Sequence, residues 1–449
     1  MIHNRYYKAI TIGIVILITS GVFYLAAGLM GRGNDVAWHT LNGLQMIESG
    51  HIILTDNLTW KTPGHVWSNP EWLFDVLLGY IYLNFGWLGV RLLVVVCGEL
   101  LMLVLVNFAL TRQKMSTIMP IGLIIAISLI PGYTARPQIL SYLMFALGIY
   151  VIESSRSSKW SKLLLFIPAF IVWNNAHGSA VLFWGLLALE WFDDHKIWPY
   201  VLVFLALITI RPGSSFELAH FMQQQLHPVA LSISEWQSPN FHIPLGLFEL
   251  GYFAFSCMLI FRKTTTREKA WLVFGWLAFF VSVRFYAYAA IITWFILIKH
   301  LEVPPSWNKT MQLLTTSLVI LVFCLFPKLF GSQFYEPVES GAAQYCVQNG
   351  LTNVVNEYSI GGVLEWHGLK TIGDGRAFWL GEKWFSTYFD TEYGTYPMKQ
   401  FLVEEAPTIN TVIWLNNTPP ALQMDLMPDW KKVYDNKSVS VWVKSNIDE

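Results

Sequence analysis

Charge is what this sequence has least of. Asp, Glu, Lys and Arg make up 13% of its 449 residues, against 54% hydrophobic, where soluble chains carry about 25% charged residues. Half that density, combined with long apolar runs, excludes a chain that faces water along most of its length. Each charge in a spanning segment costs about 2.5–3.5 kcal/mol at the helix centre, so such segments shed them. Cysteine is also scarce. Cys97, Cys257, Cys324 and Cys346 are too scattered for a disulfide framework or a zinc site, which leaves structural-metal and redox chemistry without support. No P-loop, dinucleotide fingerprint, nucleophile elbow or HExxH pair occurs, so ATP-driven transport and serine hydrolysis lack the residues to carry them. Internal repeats, low-complexity tracts and a basic stripe suited to nucleic acid are missing as well.

What is present is a series of apolar runs. The first, Ala9 to Met30, follows His3, Arg5 and Lys8 and has the length of a spanning helix, about 20 residues. It has no A-x-A-like cleavage site, which predicts an uncleaved first helix. Further spans are expected at 88–110, 116–131, 137–153, 163–176, 179–192, 198–210, 243–261, 270–283, 285–299 and 311–330, about eleven in all, several short enough to imply tilt or half-helices. Residues 72–84 are apolar but only about half the usual spanning length, and read as interfacial or re-entrant. With a cytoplasmic N-terminus, this count puts the basic turns Arg112/Lys114, Arg156/Lys159/Lys162 and Arg262/Lys263/Arg267/Lys269 all inside, as the positive-inside rule requires. A full crossing by 72–84 would turn two of those clusters outward.

Net charge hides an asymmetry. Residues 1–334 hold 21 Lys and Arg against 15 Asp and Glu, and residues 335–449 hold 8 against 15. The sequence therefore predicts a polytopic α-helical protein of the inner membrane, with a transmembrane domain over 1–334 and a small, acidic, extracytoplasmic α/β domain over 335–449. In the tail, Val354–Glu357 and Thr411–Leu415 read as strands. Trp430–Val443 reads as a hairpin turning at Asp435-Asn436, with helices at 341–347 and 397–404.

On that topology the outer face receives a long first loop (31–71), the turn YTARPQ (133–138), WNNAHG (173–178), the loop 211–242 containing SEWQSPNF, and VSVRFY around Arg284. Their Trp and Pro content argues against disorder, and five such segments on one face describe a pocket at the membrane boundary. Asp35, just after the first helix, is either a solvated loop carboxylate or a general base or metal-binding carboxylate at the lipid interface. Asp56 and Glu71 carry weaker cases for contacting substrate. The first loop also holds His39, His51 and His65, but the spacing fits no zinc motif. A Mg²⁺ or Mn²⁺ sharing ligands with a phosphate needs only one or two carboxylates, and Asp35 could supply one. Arg136 and Arg284 either snorkel to headgroups or bind the phosphate of a lipid-linked donor. His177, beside Asn174 and Asn175, is either a hydrogen-bonded structural residue or a sugar contact. Gly373-Asp374-Gly375-Arg376 is either a tight turn or a ligand-contacting loop.

The order of Asp35 (in GNDVAWH), TDNLTW, VWSNPEWL, ARPQ, WNNAHG, SEWQSP and the tail segment EYSIGGVLEW…GDGRAFW resembles the GT-C superfamily of membrane glycosyltransferases. It is similar in particular to the group related to protein mannosyltransferases and lipid A aminoarabinose transferases. The resemblance spans nearly the whole chain on short motifs. It implies transfer of a sugar from a polyprenyl-phosphate-linked donor to a glycan, lipid or protein acceptor on the outer face. Asp35 would then be the base or metal organiser, Arg136 and Arg284 would bind the donor phosphate, and Asp56, Glu71, Asn174, His177 and Glu235 would contact substrate. One acidic residue follows the first helix here, where that group has an adjacent pair, and the SEWQSP loop and acidic tail have no counterpart in it. The rival expectation is a transporter or flippase for lipid-linked sugars. That would call for charged or Gly/Pro-broken helices at mid-membrane in repeated halves, whereas toward the middle of the apolar runs the only charged residues are Glu99 and Glu249.

Overall fold

The computed structural model describes residues 13, 16, 19–24, 34–67, 69–111, 134–153, 156–212, 233–260, 264–300, 339–376 and 382–445. The chain forms two compact units. One comprises Met1–Gly31, Asn84–Arg211 and Ser234–Gln333, and the other Arg32–Leu83, Pro212–Ile233 and Phe334–Glu449. The expected spans at 116–131 and 311–330, and most of 9–30, lie outside the described residues.

Helix α1 (Asn34–Ser49) and α2 (Trp72–Thr111) come first in the chain. The stretch 31–71, read as a loop from sequence, is thus helical over α1. The reason is local: Asp35 sits in the first turn, where a carboxylate complements the helix dipole, and Val36, Trp38 and Met46 are buried. Helix α2 is broken at Gly86, whose φ of 60° and ψ of −159° are open essentially to glycine alone. The break falls between the 72–84 and 88–110 runs that the sequence separates. Among the described residues, α2 is the one helix long and apolar enough to cross a membrane by length and composition.

In the first unit, α2 beyond its break is followed by α3 (Gln138–Ile152), α4 (Arg156–Ala176), α5 (Ala180–Leu189), α6 (Trp198–Ile208), α7 (Pro244–Ile260), α8 (Thr266–Val281) and α9 (Tyr286–His300). Helix α2 turns Leu88, Leu92, Val96, Leu100 and Leu103 outward while Val90, Val94, Leu101 and Leu105 are buried. Val273, Leu277 and Val281 do the same on α8. Outward apolar stripes of this kind are a liability in water and an ordinary surface in lipid. Helices meet closely at small residues: a methyl at Gly98 would collide with the Phe23 ring, and one at Gly148 with Phe183. Of the two acids toward the middle of the apolar runs, Glu99 accepts from Thr19 Oγ1 at 2.7 Å and Glu249 is buried.

Ion pairs mark one end of this bundle. Arg267, at the start of α8, reaches Glu153 after α3 (2.5 Å) and Glu190 after α5 (3.0 Å). Lys299, at the end of α9, reaches Glu153 (2.9 Å) and Glu268 (2.5 Å). A capping box starts α8 there, Thr265 and Glu268 exchanging side-chain and backbone hydrogen bonds. Asn107, near the end of α2, donates to Tyr150 Oη of α3 at 3.0 Å, so α2 finishes at this end too. The helix ends that border the three basic turns of the sequence therefore lie together. The opposite ends of α3, α5, α8 and α9 carry the polar cluster described below.

In the second unit the tail folds around a sheet of order β1-β2-β4-β3, made of β1 (Val355–Asn356), β2 (Thr411–Leu415), β3 (Trp430–Asp435) and β4 (Val439–Lys444). β1 runs parallel to β2, and the other pairs are antiparallel. The hairpin turns where the sequence places it, with Asn436 Oδ1 accepting from Ser438 N and Val439 N, both at 2.8 Å. Helices α10 (Ser340–Gln348), α11 (Gly361–Trp366), α12 (Glu382–Glu392), α13 (Met398–Glu405) and α14 (Pro419–Asp425) cover it. The first loop belongs to this same unit. Helix α11 packs on α1, Trp60 N donates to Thr371 O (3.0 Å), and Trp60 Nε1 donates to Val354 O (2.8 Å). Lys61 pairs with Glu405 at 2.8 Å.

Candidate functional site

Among the described residues, a polar cluster lies in the second unit and another in the first, at the end away from the Arg267 and Lys299 ion pairs. In the second, Asp35, Trp38 and His39 share a face of α1 at i, i+3 and i+4 spacing. Trp38 Nε1 donates to Asp35 Oδ1 at 3.2 Å, and the Trp38 and His39 rings lie 3.6 Å apart by centroid. His39 is buried with Nδ1 2.5 Å from Asp75 Oδ1 of α2 and Nε2 3.5 Å from Glu71. Asn69 Nδ2 donates to the other Asp75 oxygen at 2.8 Å. Two glycines allow this pairing, because α1 and α2 cross backbone to backbone at Gly43 and Gly79, where a Cβ on either would meet main-chain atoms. Burial alone would lower the His39 pKa, but the adjacent Asp75, with help from Glu71 and Asp35, holds it above its ordinary value.

The turn Gly373–Arg376 approaches Asp35 from the tail. A Cβ on Gly375 would land on Asp35 Oδ1. Arg376 is buried and forks onto Asp374, with Nε 3.0 Å from both carboxylate oxygens and Nη2 2.5 Å from Oδ2. Nη2 also lies 3.3 Å from Asp56 and 3.9 Å from Glu365. The guanidinium sits 5.1 Å from the Trp67 ring centroid and 5.8 Å from that of Trp38. Burial would raise the Asp374 pKa, but Arg376 holds it below the usual carboxylate range. Burial and the Asp374 charge push Glu365 well above it. Asp56, read as a substrate contact, is instead buried in this network, where it also accepts from Leu58 N at 3.1 Å and from Thr59 Oγ1. Glu71 is partly exposed beside His39.

In the first unit, Arg136 Nη1 donates to Glu235 Oε2 at 2.8 Å, and Arg284 Nη2 lies 3.6 Å from Glu235 Oε1. The Arg284 guanidinium stacks 4.3 Å over Trp236. Ser282 Oγ donates to Glu235 O at 2.9 Å and Val283 N to Gln237 O at 3.0 Å, which fixes the 3₁₀ turn Ser234–Trp236 against Val283–Phe285. Burial would raise the Glu235 pKa, but Arg284 and Arg136 together pull it down to about 2.

Five residues past Arg136, Ser141 Oγ accepts from Trp173 Nε1 at 3.0 Å and lies 2.9 Å from His177 Nδ1, which is 2.7 Å from Ser179 Oγ. Tyr142 and Tyr288 pack edge to face beside them, 5.2 Å apart. ARPQ, WNNAHG, SEWQSP and VSVRFY thus converge as the sequence suggests. Asn174 and Asn175 cap the end of α6, donating to Ile208 O at 3.0 Å and Ile210 O at 2.9 Å. The pairing of Arg376 with Asp56, the partnership of His39 with Asp75, and the stacking of Arg284 on Trp236 are absent from the sequence reading. The GDGR segment was the available signal for Arg376, and nothing local marks the other two.

Among the described residues, no group of three or more His, Cys, Asp or Glu side chains is arranged to hold a metal ion.

No protein-family model matches the chain, and no curated protein matches it. Solved structures do. The archaeal oligosaccharyltransferase AglB from Archaeoglobus fulgidus, in complex with an inhibitory peptide and a dolichol-phosphate, superposes with a TM-score of 0.61 at 11% identity, over 92% of this chain and 70% of that one. ArnT from Cupriavidus metallidurans in the apo state gives 0.58 at 12% identity, over 98% of both chains. The same protein bound to undecaprenyl phosphate gives 0.55 at 12% identity, over 97% of both. This chain shares the fold of these structures.

Proposed function

We propose that this protein transfers a sugar from a polyprenyl-phosphate-linked donor to a cell-envelope acceptor (glycan, lipid or protein) at the outer face of the inner membrane. The observation that carries this reading is the Arg136–Glu235–Arg284 arrangement: two guanidiniums tethered by one carboxylate, one of them stacked on Trp236, at the end of the helical unit opposite its other ion pairs. A planar guanidinium matches phosphate oxygens bidentately. The fold shared with proteins whose structures hold dolichol-phosphate and undecaprenyl phosphate supports the same ligand class. The outward apolar stripes and the shared end of the three basic turns support the membrane setting and about eleven spans.

The reaction needs no nucleotide, because a polyprenyl phosphate is itself a good leaving group. An acceptor hydroxyl oxygen bonds to the anomeric carbon as the bond from that carbon to the phosphate oxygen breaks. The hydroxyl proton passes to the Asp35 carboxylate, and the charge that grows on the departing phosphate is met by Arg136 and Arg284. Attack opposite the leaving group inverts the anomeric centre. No step here is routed through a metal ion.

The test is loss of the lipid-linked sugar from a panel of polyprenyl-phosphate hexoses and pentoses, using purified protein in lipid with an acceptor extract. Wild type should consume one donor class and Asp35→Asn should not, with equal expression and insertion. Equal consumption by the variant removes Asp35 as base. No consumption of any donor by folded wild type turns the reading toward a flippase.

A further inference from the structure

We infer that the tail turn Gly373–Arg376 is the positioning element of Asp35, so that the orientation of this carboxylate is set by the tail and not by α1 alone. The inference rests on Asp35 being the reactive carboxylate of the proposed transfer. It also makes a claim about contact that stands apart from that chemistry.

A carboxylate in the first turn of a helix has rotamer freedom that its own backbone does not remove. Here two groups remove it. Trp38 Nε1 donates to Oδ1 at 3.2 Å from within α1, and the main chain at Gly375 closes on the same oxygen so tightly that a single added methyl would overlap it and lie 2.9 Å from Trp38 Nε1. A methyl there would push the Asp35 carboxylate out of its present orientation. The turn itself is held on every side. Arg376 N donates to Asp374 Oδ1 at 2.7 Å and its guanidinium forks back onto the same carboxylate. Asn356 Nδ2 donates to Gly373 O at 3.0 Å, and Tyr358 Oη donates to Gly375 O at 3.4 Å. Asp56, from the first loop, receives the remaining reach of Arg376 at 3.3 Å. The guanidinium also lies over the ring of Trp38, the residue that donates to Asp35. A buried arginine with two carboxylates is far more rigid than a solvated loop, and a general base must be held to a fraction of an ångström, since a displacement of about 1 Å can cost a hundredfold in rate.

The experiment uses the full-length protein in lipid nanodiscs, as wild type, Gly375→Ala, Asp35→Ala and the double variant. The first readout is thermal unfolding, which does not depend on any reaction. Gly375→Ala should lower Tm by about 2–5 °C in the wild-type background. In the Asp35→Ala background, where the oxygen met by the methyl is gone, the drop should be at most half as large. Equal drops in both backgrounds overturn the inference. The second readout is donor consumption. Gly375→Ala should lower kcat about 10–100-fold with KM changed less than about twofold, the split expected when a base is misplaced without loss of substrate binding. A folded Gly375→Ala protein with wild-type kcat overturns it as well. If wild type consumes no donor, the transferase reading fails by itself, and the unfolding comparison still decides whether the turn sets Asp35.

Discussion

His39 and Asp75, thirty-six positions apart in sequence, form a buried ion pair with Nδ1 2.5 Å from Oδ1. Because its folded pKa is raised above about 6.5, the pair's contribution to stability is complete below pH ~6.5 and fades as pH rises through the raised value. The Tm difference between wild type and His39→Gln should be largest near pH 6 and shrink steadily toward pH 9. A difference that does not vary with pH would show that His39 is neutral in the folded protein.

Glu235 follows the opposite sign. Its folded pKa is pulled down to about 2, so the stability it supplies is present above about pH 4.5 and is lost as pH falls toward 2. The Tm gap between wild type and Glu235→Gln should be constant from pH 8 to 5 and narrow below that. A gap that widens on acidification is incompatible with the two arginines holding this carboxylate ionised.

Removing either guanidinium should weaken polyprenyl phosphate. Arg136→Gln and Arg284→Gln are each expected to reduce undecaprenyl phosphate affinity about 10–100-fold, the worth of a charge-assisted hydrogen bond. Binding measured in nanodiscs, with undecaprenol as the uncharged control, tests this. If alcohol and phosphate lose affinity equally, the arginines do not recognise the phosphate.

Gly86 should resist replacement. At φ 60° and ψ −159°, Gly86→Ala would place a Cβ in a region that costs about 1–3 kcal/mol. Thermal unfolding of the variant should show a lower Tm, while Gly13→Ala, which has open space around the new methyl, should not. An unchanged Tm for Gly86→Ala means that α2 can straighten through the break.

Legibility in the sequence followed locality. The apolar runs gave the helices of the first unit, because burial and exposure repeat every turn and leave a pattern that one segment suffices to show. The tail strands Thr411–Leu415 and the Trp430 hairpin were legible for the same reason, as was the turn at Asn436. Helix α1 was missed inside a segment rich in turn-forming residues. Its end is marked by Gly50 at φ 69°, but a glycine after polar residues reads equally as part of a loop. ARPQ, SEWQSP and VSVRFY stood out as polar islands in an apolar chain, yet nothing in any of them says that Arg136 and Arg284 share Glu235.

Composition and hydropathy by themselves determined where the apolar runs lie, that basic turns alternate with them, and which few ionisable residues were left to carry chemistry. These are properties of single segments, set by the cost of placing charge in an apolar medium. Only the tertiary structure decided the pairings. Arg376 meets Asp56 across 320 positions, Gly375 closes on Asp35, and Asp75 reaches His39. Each depends on backbones brought close by packing elsewhere, and a buried charge is tolerable only with the partner that packing supplies.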